Sequence, residues 1–235
     1  MALILSLETS TKVCSVCLSK DNTIIAKKEL FEANSHATHL TIFIQELFNE
    51  LEDISIQDID AVAVSSGPGS YTGLRIGVSV AKGICYALSK PLIAITSLES
   101  LAQSVINHPE LEGKVDENTM FCPMIDARRM EVYTVLFDAS MKMKDKISAE
   151  IIEEDSYQDE LKESSIVFLG DGAEKCKETI KSSNAIFLDG QAPLARNMVN
   201  IAHAKFELQD FVDVAYFEPF YLKDFVATTP KKKIF

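Results

Sequence analysis

The sequence predicts an α/β protein built on mixed sheets, and three observations carry that reading. Three short strand-like runs open the chain in immediate succession. Thereafter strands alternate with amphipathic helices. A further set of short apolar runs follows a polar break near residue 103. A meander joined to helix-connected parallel strands makes a mixed sheet with helices on its faces; the strands beyond the break belong to a second unit.

Leu3-Ile4-Leu5-Ser6-Leu7 is suited to a strand buried on both faces. Glu8 to Lys12 is polar and turns the chain into a second strand, Val13 to Leu18. Asp21-Asn22 supplies turn chemistry before a third strand, Thr23 to Leu30. Ser35 or Thr38 caps the first helix, in which Leu40, Phe43, Ile44, Leu47, Phe48 and Leu51 recur at helical spacing. Asp60 to Ser65 is a buried strand running into Ser66-Gly67-Pro68-Gly69-Ser70-Tyr71-Thr72-Gly73. A helix from about Thr72 to Leu88, a strand at Leu92 to Ile95 and a helix opening near Thr96 or Ser97 follow. This order is that of a ribonuclease-H-like sheet.

Gln103 to Thr119, with Pro109, Gly113 and many charges, is a boundary. Beyond it, Cys122 to Ile125 and Glu131 to Phe137 form a hairpin around Asp126-Ala127-Arg128-Arg129. Ile166 to Leu169 is a strand ending in Gly170-Asp171-Gly172-Ala173 before a short helix, and Ala185 to Leu188 is another strand. Pro193 fits the first turn of a helix reaching about Phe206, with Leu194, Met198, Ile201 and Ala202 as its apolar face. Met141 to Glu163 is highly charged and shows no firm periodicity, and no internal repeat of fixed period is visible. The expected organisation is a lobe over residues 1–102, a second, reduced lobe over 103–206, and a segment over 207–235 that returns to the first lobe.

Of the 235 residues, 47% are hydrophobic and 25% charged, enough to bury one or two cores. No apolar stretch approaches 18 residues, and no basic leader or cleavage site is apparent, so a cytoplasmic protein without membrane contact is expected. The net charge of -12 repels a phosphate backbone. The run Lys231 to Lys233 reads as a solvated tail, so nucleic acid is not expected to bind this chain by itself. The cysteines Cys14, Cys17, Cys85, Cys122 and Cys176 are scattered and odd in number, as in a reduced protein. Cys14 and Cys17 are three apart on a strand and point to opposite faces, which suits packing rather than a redox or zinc site.

Two glycines flank Pro68 after a buried strand, and the following helix aims free N–H groups back at that turn. Such a turn can hold an anion or simply be tight. It is not a Walker A loop, for no Lys follows Gly73. The helix after it is apolar nearly all round. Leu74, Val78, Ala81, Cys85 and Leu88 make one stripe; Ile76, Val80, Gly83, Ile84 and Ala87 make most of another. Its own sheet covers one side, and either the second lobe or another protein covers the other.

The run Gly67-Pro68-Gly69-Ser70-Tyr71-Thr72-Gly73-Leu74-Arg75-Ile76-Gly77 resembles the signature of the TsaB (YeaZ) family. So do Leu7 to Thr11, Ser35-His36 with Leu40, Ile125 to Arg128, Glu131-Val132-Tyr133, and Pro219 to Asp224, so the likeness spans the chain. The resemblance implies the two-lobed fold of the superfamily of actin, sugar kinases and heat-shock chaperone ATPases. It also implies a non-catalytic subunit that binds and orders TsaD for threonylcarbamoyl transfer to the adenosine next to the anticodon of tRNA. TsaE is implied as a further partner, tRNA is met only through the complex, and the same helices make a homodimer when TsaD is absent. The implied interface comprises His36, Leu40, Phe43, Ile44, Leu47, Leu74, Arg75, Ile76, Val80 and Gly83.

ATP-hydrolysing superfamily members place an Asp at the end of the first strand; here Glu8 stands there. A vestigial phosphate site then comprises Glu8, Thr9, Ser10, Gly67, Gly69, Ser70 and Thr72, with weak nucleotide binding at most and no required cofactor. TsaD carries a His-x-x-x-His metal pair, whereas His36, His39, His108 and His203 are never four apart. Neither a metal nor a catalytic residue is therefore expected. The rival readings are an ATPase or phosphotransferase of the same superfamily and, more weakly, a metallopeptidase.

Overall fold

The computed structural model describes residues 2–32, 35–106 and 108–222. The first lobe has strands β1 (Leu3–Glu8), β2 (Cys14–Lys20) and β3 (Thr23–Leu30), then helix α1 (His36–Asn49). It continues with β4 (Ala61–Gly67), α2 (Tyr71–Leu88), β5 (Leu92–Thr96) and α3 (Ser97–Ala102). The second lobe has β6 (Met120–Asp126), β7 (Glu131–Thr134), β8 (Ser148–Ile151), α4 (Gln158–Glu163), β9 (Ile166–Leu169), α5 (Asp171–Glu174) and β10 (Ala185–Leu188). A 3₁₀ turn, Ala195–Met198, then leads into α6 (Val199–Glu207).

Both sheets are mixed and share one topology. The first runs β3-β2-β1-β4-β5, antiparallel through β1 and parallel beyond it. The second, written β8-β7-β6-β9-β10, has the same order and the same change of direction at its central strand. The helices between strands also correspond, α1 and α2 in one lobe with the much shorter α4 and α5 in the other.

β1 is buried at all six positions because both faces of its sheet are covered. Leu3, Leu5 and Leu7 point to the side where α1 and α2 pack through Leu40, Ile44, Leu47, Val78 and Ala81. Ile4 points to the other side, where Met198 and Ala202 lie against Ala61, Ala63, Ile93 and Ile95. The alternation expected for Cys14 and Cys17 holds: Cys14 belongs to the first of these layers and Cys17 packs with Ala195 and Val199.

The third helix of each lobe crosses to the other. α3 lays Leu98, Leu101 and Ala102 on the second sheet against Phe121, Ile125 and Val167. α6 covers the first sheet, so the helix assigned from sequence to the second lobe returns to the first before residue 206. It also starts later than Pro193, at Val199 after the 3₁₀ turn. The crossing is fastened by polar bonds. Ala195 N–H donates to Ser15 Oγ (2.9 Å), and Arg196 Nη1 reaches both carboxylate oxygens of Glu29 (2.7 and 2.5 Å).

The charged stretch from Met141 to Glu163 contains β8 and α4, which its composition does not announce. Residues 208–222 form a strap along the first lobe. Val212 N–H donates to Leu92 O (2.9 Å), Lys82 Nζ to Ala215 O (3.0 Å) and Phe217 O (3.1 Å), and Phe220 N–H to Ser66 O (2.7 Å). Lys223, Asp224 and the lysine run at 231–233 lie outside the described residues.

Candidate functional site

The glycine-rich turn is shaped by what packs against it. A Cβ on Gly69 would stand 2.2 Å from Ser10 O, one on Gly73 2.1 Å from Thr9 O, and one on Gly77 2.3 Å from Thr9 Oγ1. The β1–β2 loop therefore lies directly on the first two turns of α2; glycine is required at 69 and 73 because backbone meets backbone, and at 77 because the Thr9 hydroxyl sits there. Thr9 Oγ1 donates to Gly73 O (2.8 Å), Ser70 N–H donates to Ser10 O (2.6 Å), and Ser70 Oγ caps the helix by accepting from Gly73 N–H (3.2 Å). Next to Gly67 an added Cβ would meet Leu74 and Phe220 O, and next to Gly69 it would meet Ser10 O, so the chain packs closely around this turn. Ser70 and Thr72 are the exposed members of the expected phosphate site.

Glu8 is fully buried. Its Oε1 accepts the Ser10 N–H (2.6 Å), while its Oε2 has no hydrogen-bond partner among the described residues. Burial pushes the carboxyl above its usual range. The hydroxyls of Ser10 and Ser65 pull the other way, although neither reaches Oε2 with hydrogen-bonding geometry.

His36 is also buried. Its Nε2–H donates to Thr11 O (2.6 Å), and Gly73 leaves the space its ring occupies. It ties α1 to the β1–β2 loop and is not a surface contact. His39 Nδ1 is held by Ser35 O (3.1 Å), so the two histidines face different partners. Among the described residues no group of three or more His, Cys, Asp or Glu is placed to hold a metal. All five cysteines are free and buried, and burial pushes the Cys14 thiol up to about 11 and the Cys17 thiol up to about 12. Neither is a ready nucleophile at neutral pH.

The α1–α2 face differs from the expected interface in a consistent way. Leu40, Ile44, Leu47 and Leu74, like His36, are sealed within the chain, because the amphipathic stripe of a helix faces its own sheet first. Phe43, Ile76 and Val80 are half-buried, and Arg75 and Gly83 are exposed. Sequence reasoning missed Ile42, 42% exposed, and Tyr86, 84% exposed. The signal was present: both lie off the periodic stripe, so a helix turned toward its sheet directs them outward. A shallow groove of about 510 Å³ runs between the helices, lined by Ala37, Tyr71, Thr72, Arg75, Ile76, Ser79 and Val80.

The family model for TsaD, tRNA N6-adenosine threonylcarbamoyltransferase, matches residues 31–230. The tRNA threonylcarbamoyladenosine biosynthesis protein TsaB of Bacillus subtilis is 30% identical, over 83% of this chain and 74% of its own. The chain belongs to the TsaB family. The Escherichia coli protein of the same name is 29% identical over 95% of this chain and 96% of its own. The structure of YeaZ from Pseudomonas aeruginosa, 24% identical, superposes with a TM-score of 0.80 over 94% of this chain and 100% of that one, which shows the shared fold. The TsaB relatives are named for a biosynthetic pathway, not for a catalysed step. No helix among the described residues is long and apolar enough to cross a membrane.

Proposed function

We propose that this TsaB-family chain acts in tRNA threonylcarbamoyladenosine biosynthesis as a non-catalytic subunit that binds and orders TsaD. The observation that carries the reading is the α1–α2 face. Ile42, Phe43, Ile76, Val80 and Tyr86 stay wholly or partly uncovered on two long helices, although the core beneath them is complete. Apolar side chains left open on the helix that carries Gly83, where a Cβ would meet nothing within 4 Å, suit close approach by the helices of another protein. The transfer chemistry then sits on TsaD, which carries the metal pair this chain lacks. tRNA and TsaE are met through the complex, and a second copy occupies the same helices when TsaD is absent.

The test is Val80→Arg. At the centre of a docked face it places an uncompensated charge, at a cost on the order of 3–5 kcal/mol. Size-exclusion chromatography of the variant mixed with TsaD should show separate species where the parent co-elutes. Co-elution unchanged would refute the assigned face. The ATPase reading is disfavoured by the enclosure of Glu8, and calorimetry with magnesium-ATP should give no micromolar binding to the chain alone.

A further inference from the structure

The α1–α2 groove is lined by apolar side chains and the neutral hydroxyls of Tyr71, Thr72 and Ser79, with charge at one place. Of the residues lining it, Arg75 alone is charged, amid Ala37, Ile76 and Val80. It stands on α2, which contains no Asp or Glu at all, in a chain whose acidic residues outnumber its basic ones by 35 to 23. No carboxylate among the described residues forms an ion pair with it, although lysines elsewhere do find partners, as exposed Lys162 does with Asp159 and half-buried Lys205 with Asp210.

Arg75 is nevertheless held in place. Its Cζ lies 4.6 Å above the ring of Tyr71, and that ring meets Tyr221 of the strap at 5.0 Å between centroids. The strap is itself pinned where Phe220 N–H donates to Ser66 O. A guanidinium stacked on an aromatic face keeps its N–H edge free for a planar acceptor while losing rotamer freedom beforehand.

We propose that Arg75 is the specificity-determining cation of this face. It pairs with a carboxylate on an otherwise apolar helix of a partner protein, and Tyr71 and Tyr221 are positioning residues that present it. A second copy of the chain does not supply that carboxylate. The acidic residue within its α1 is Glu46, which lies off the groove beside Lys28 of β3 and Glu50 at the helix end, and its α2 brings another Arg75. The partner that fits is therefore a different chain. This deepens the reading of the face as the TsaD site and rests on it.

The experiment is isothermal titration of the whole 235-residue chain with TsaD at low and high salt. Arg75→Gln should weaken binding about tenfold at low salt and abolish most of the salt dependence. Tyr221→Ala should weaken it about threefold through lost pre-orientation, with Tyr221→Phe restoring the parent value. Arg75→Glu should abolish binding, and a Lys in place of the matching carboxylate on TsaD should restore it. Equal binding by Arg75→Gln and the parent, or an unchanged salt dependence, overturns the proposal while leaving the docking face standing. A parent chain that does not bind TsaD overturns both. Circular dichroism of each variant separates lost contact from lost fold.

Discussion

Glu8 ends β1 with its carboxyl enclosed by protein, one oxygen bonded to Ser10 N–H and the other to nothing among the described residues. Burial disfavours the ionised form, so the folded-state pKa lies above the ordinary value of 4.5. Below that ordinary value the side chain is protonated in folded and unfolded chains alike, and its contribution to stability is fully present. As pH rises past it, the unfolded chain releases the proton while the folded chain keeps it, and stability falls until the folded-state pKa is passed. Glu8→Gln preserves the shape and removes the titration. Thermal unfolding followed from about pH 4 to pH 8 should therefore show the variant gaining on the parent as pH rises, with the smallest difference at the acid end. A constant difference across that range would mean that Glu8 is ionised in the fold, with a counter-charge or water satisfying Oε2. At this scale the sequence was only partly readable: Glu8 was recognisable as an unusual residue at a strand end, but enclosure by a loop is a property of the tertiary structure.

α2 shows how one element serves two surfaces. Its inner face carries Gly73 and Gly77 against the β1–β2 loop, and its outer face carries Arg75, Ser79 and Gly83 to solvent. Gly73→Ala would place a methyl on the Thr9 carbonyl, a backbone atom that cannot step aside without moving the loop, and His36 closes the remaining side. The expected cost is about 1–3 kcal/mol, read as a lower urea midpoint with an unchanged slope. A midpoint equal to the parent's would show that the loop yields freely. The extent of this helix was plain from its apolar periodicity, and the structure moves its start only from Thr72 to Tyr71. The side that remains open was harder to read, because Leu40, Ile44, Leu47 and Leu74 obey the same periodicity whether they meet a sheet or a partner. Counting the faces of the sheet resolves the ambiguity: α6 takes one, so α1 and α2 must commit their strongest stripes to the other.

At the scale of the whole molecule, the two lobes are joined by exchange as well as by linkage. α3 completes the core of the second sheet and α6 that of the first, so neither core is finished by the segment that contains its strands. The chain order made the lobes legible but not the exchange. A helix following β5 packs equally well, by pattern alone, on the sheet before it or the sheet after it. β8 and α4 were hidden for a related reason: a four-residue edge strand with no fully buried residue and a short helix that buries Leu161 carry too few apolar residues to outweigh their charges. The exchange predicts that the lobes unfold together. Leu98→Ala, at a position with no exposed surface, should cost about 2–5 kcal/mol. Its effect should spread beyond the second sheet that Leu98 touches, because α3 follows β5 without a linker, and loss of the 195–198 turn frees α6 from β1. Amide hydrogen exchange in mild urea should therefore show protection in β1 and β4 falling with that in β6 and β9, by the same free energy within error. Faster exchange confined to the second lobe, with β1 and β4 still at parent values, would mean that the lobes are separate folding units and that the crossed helices merely dock.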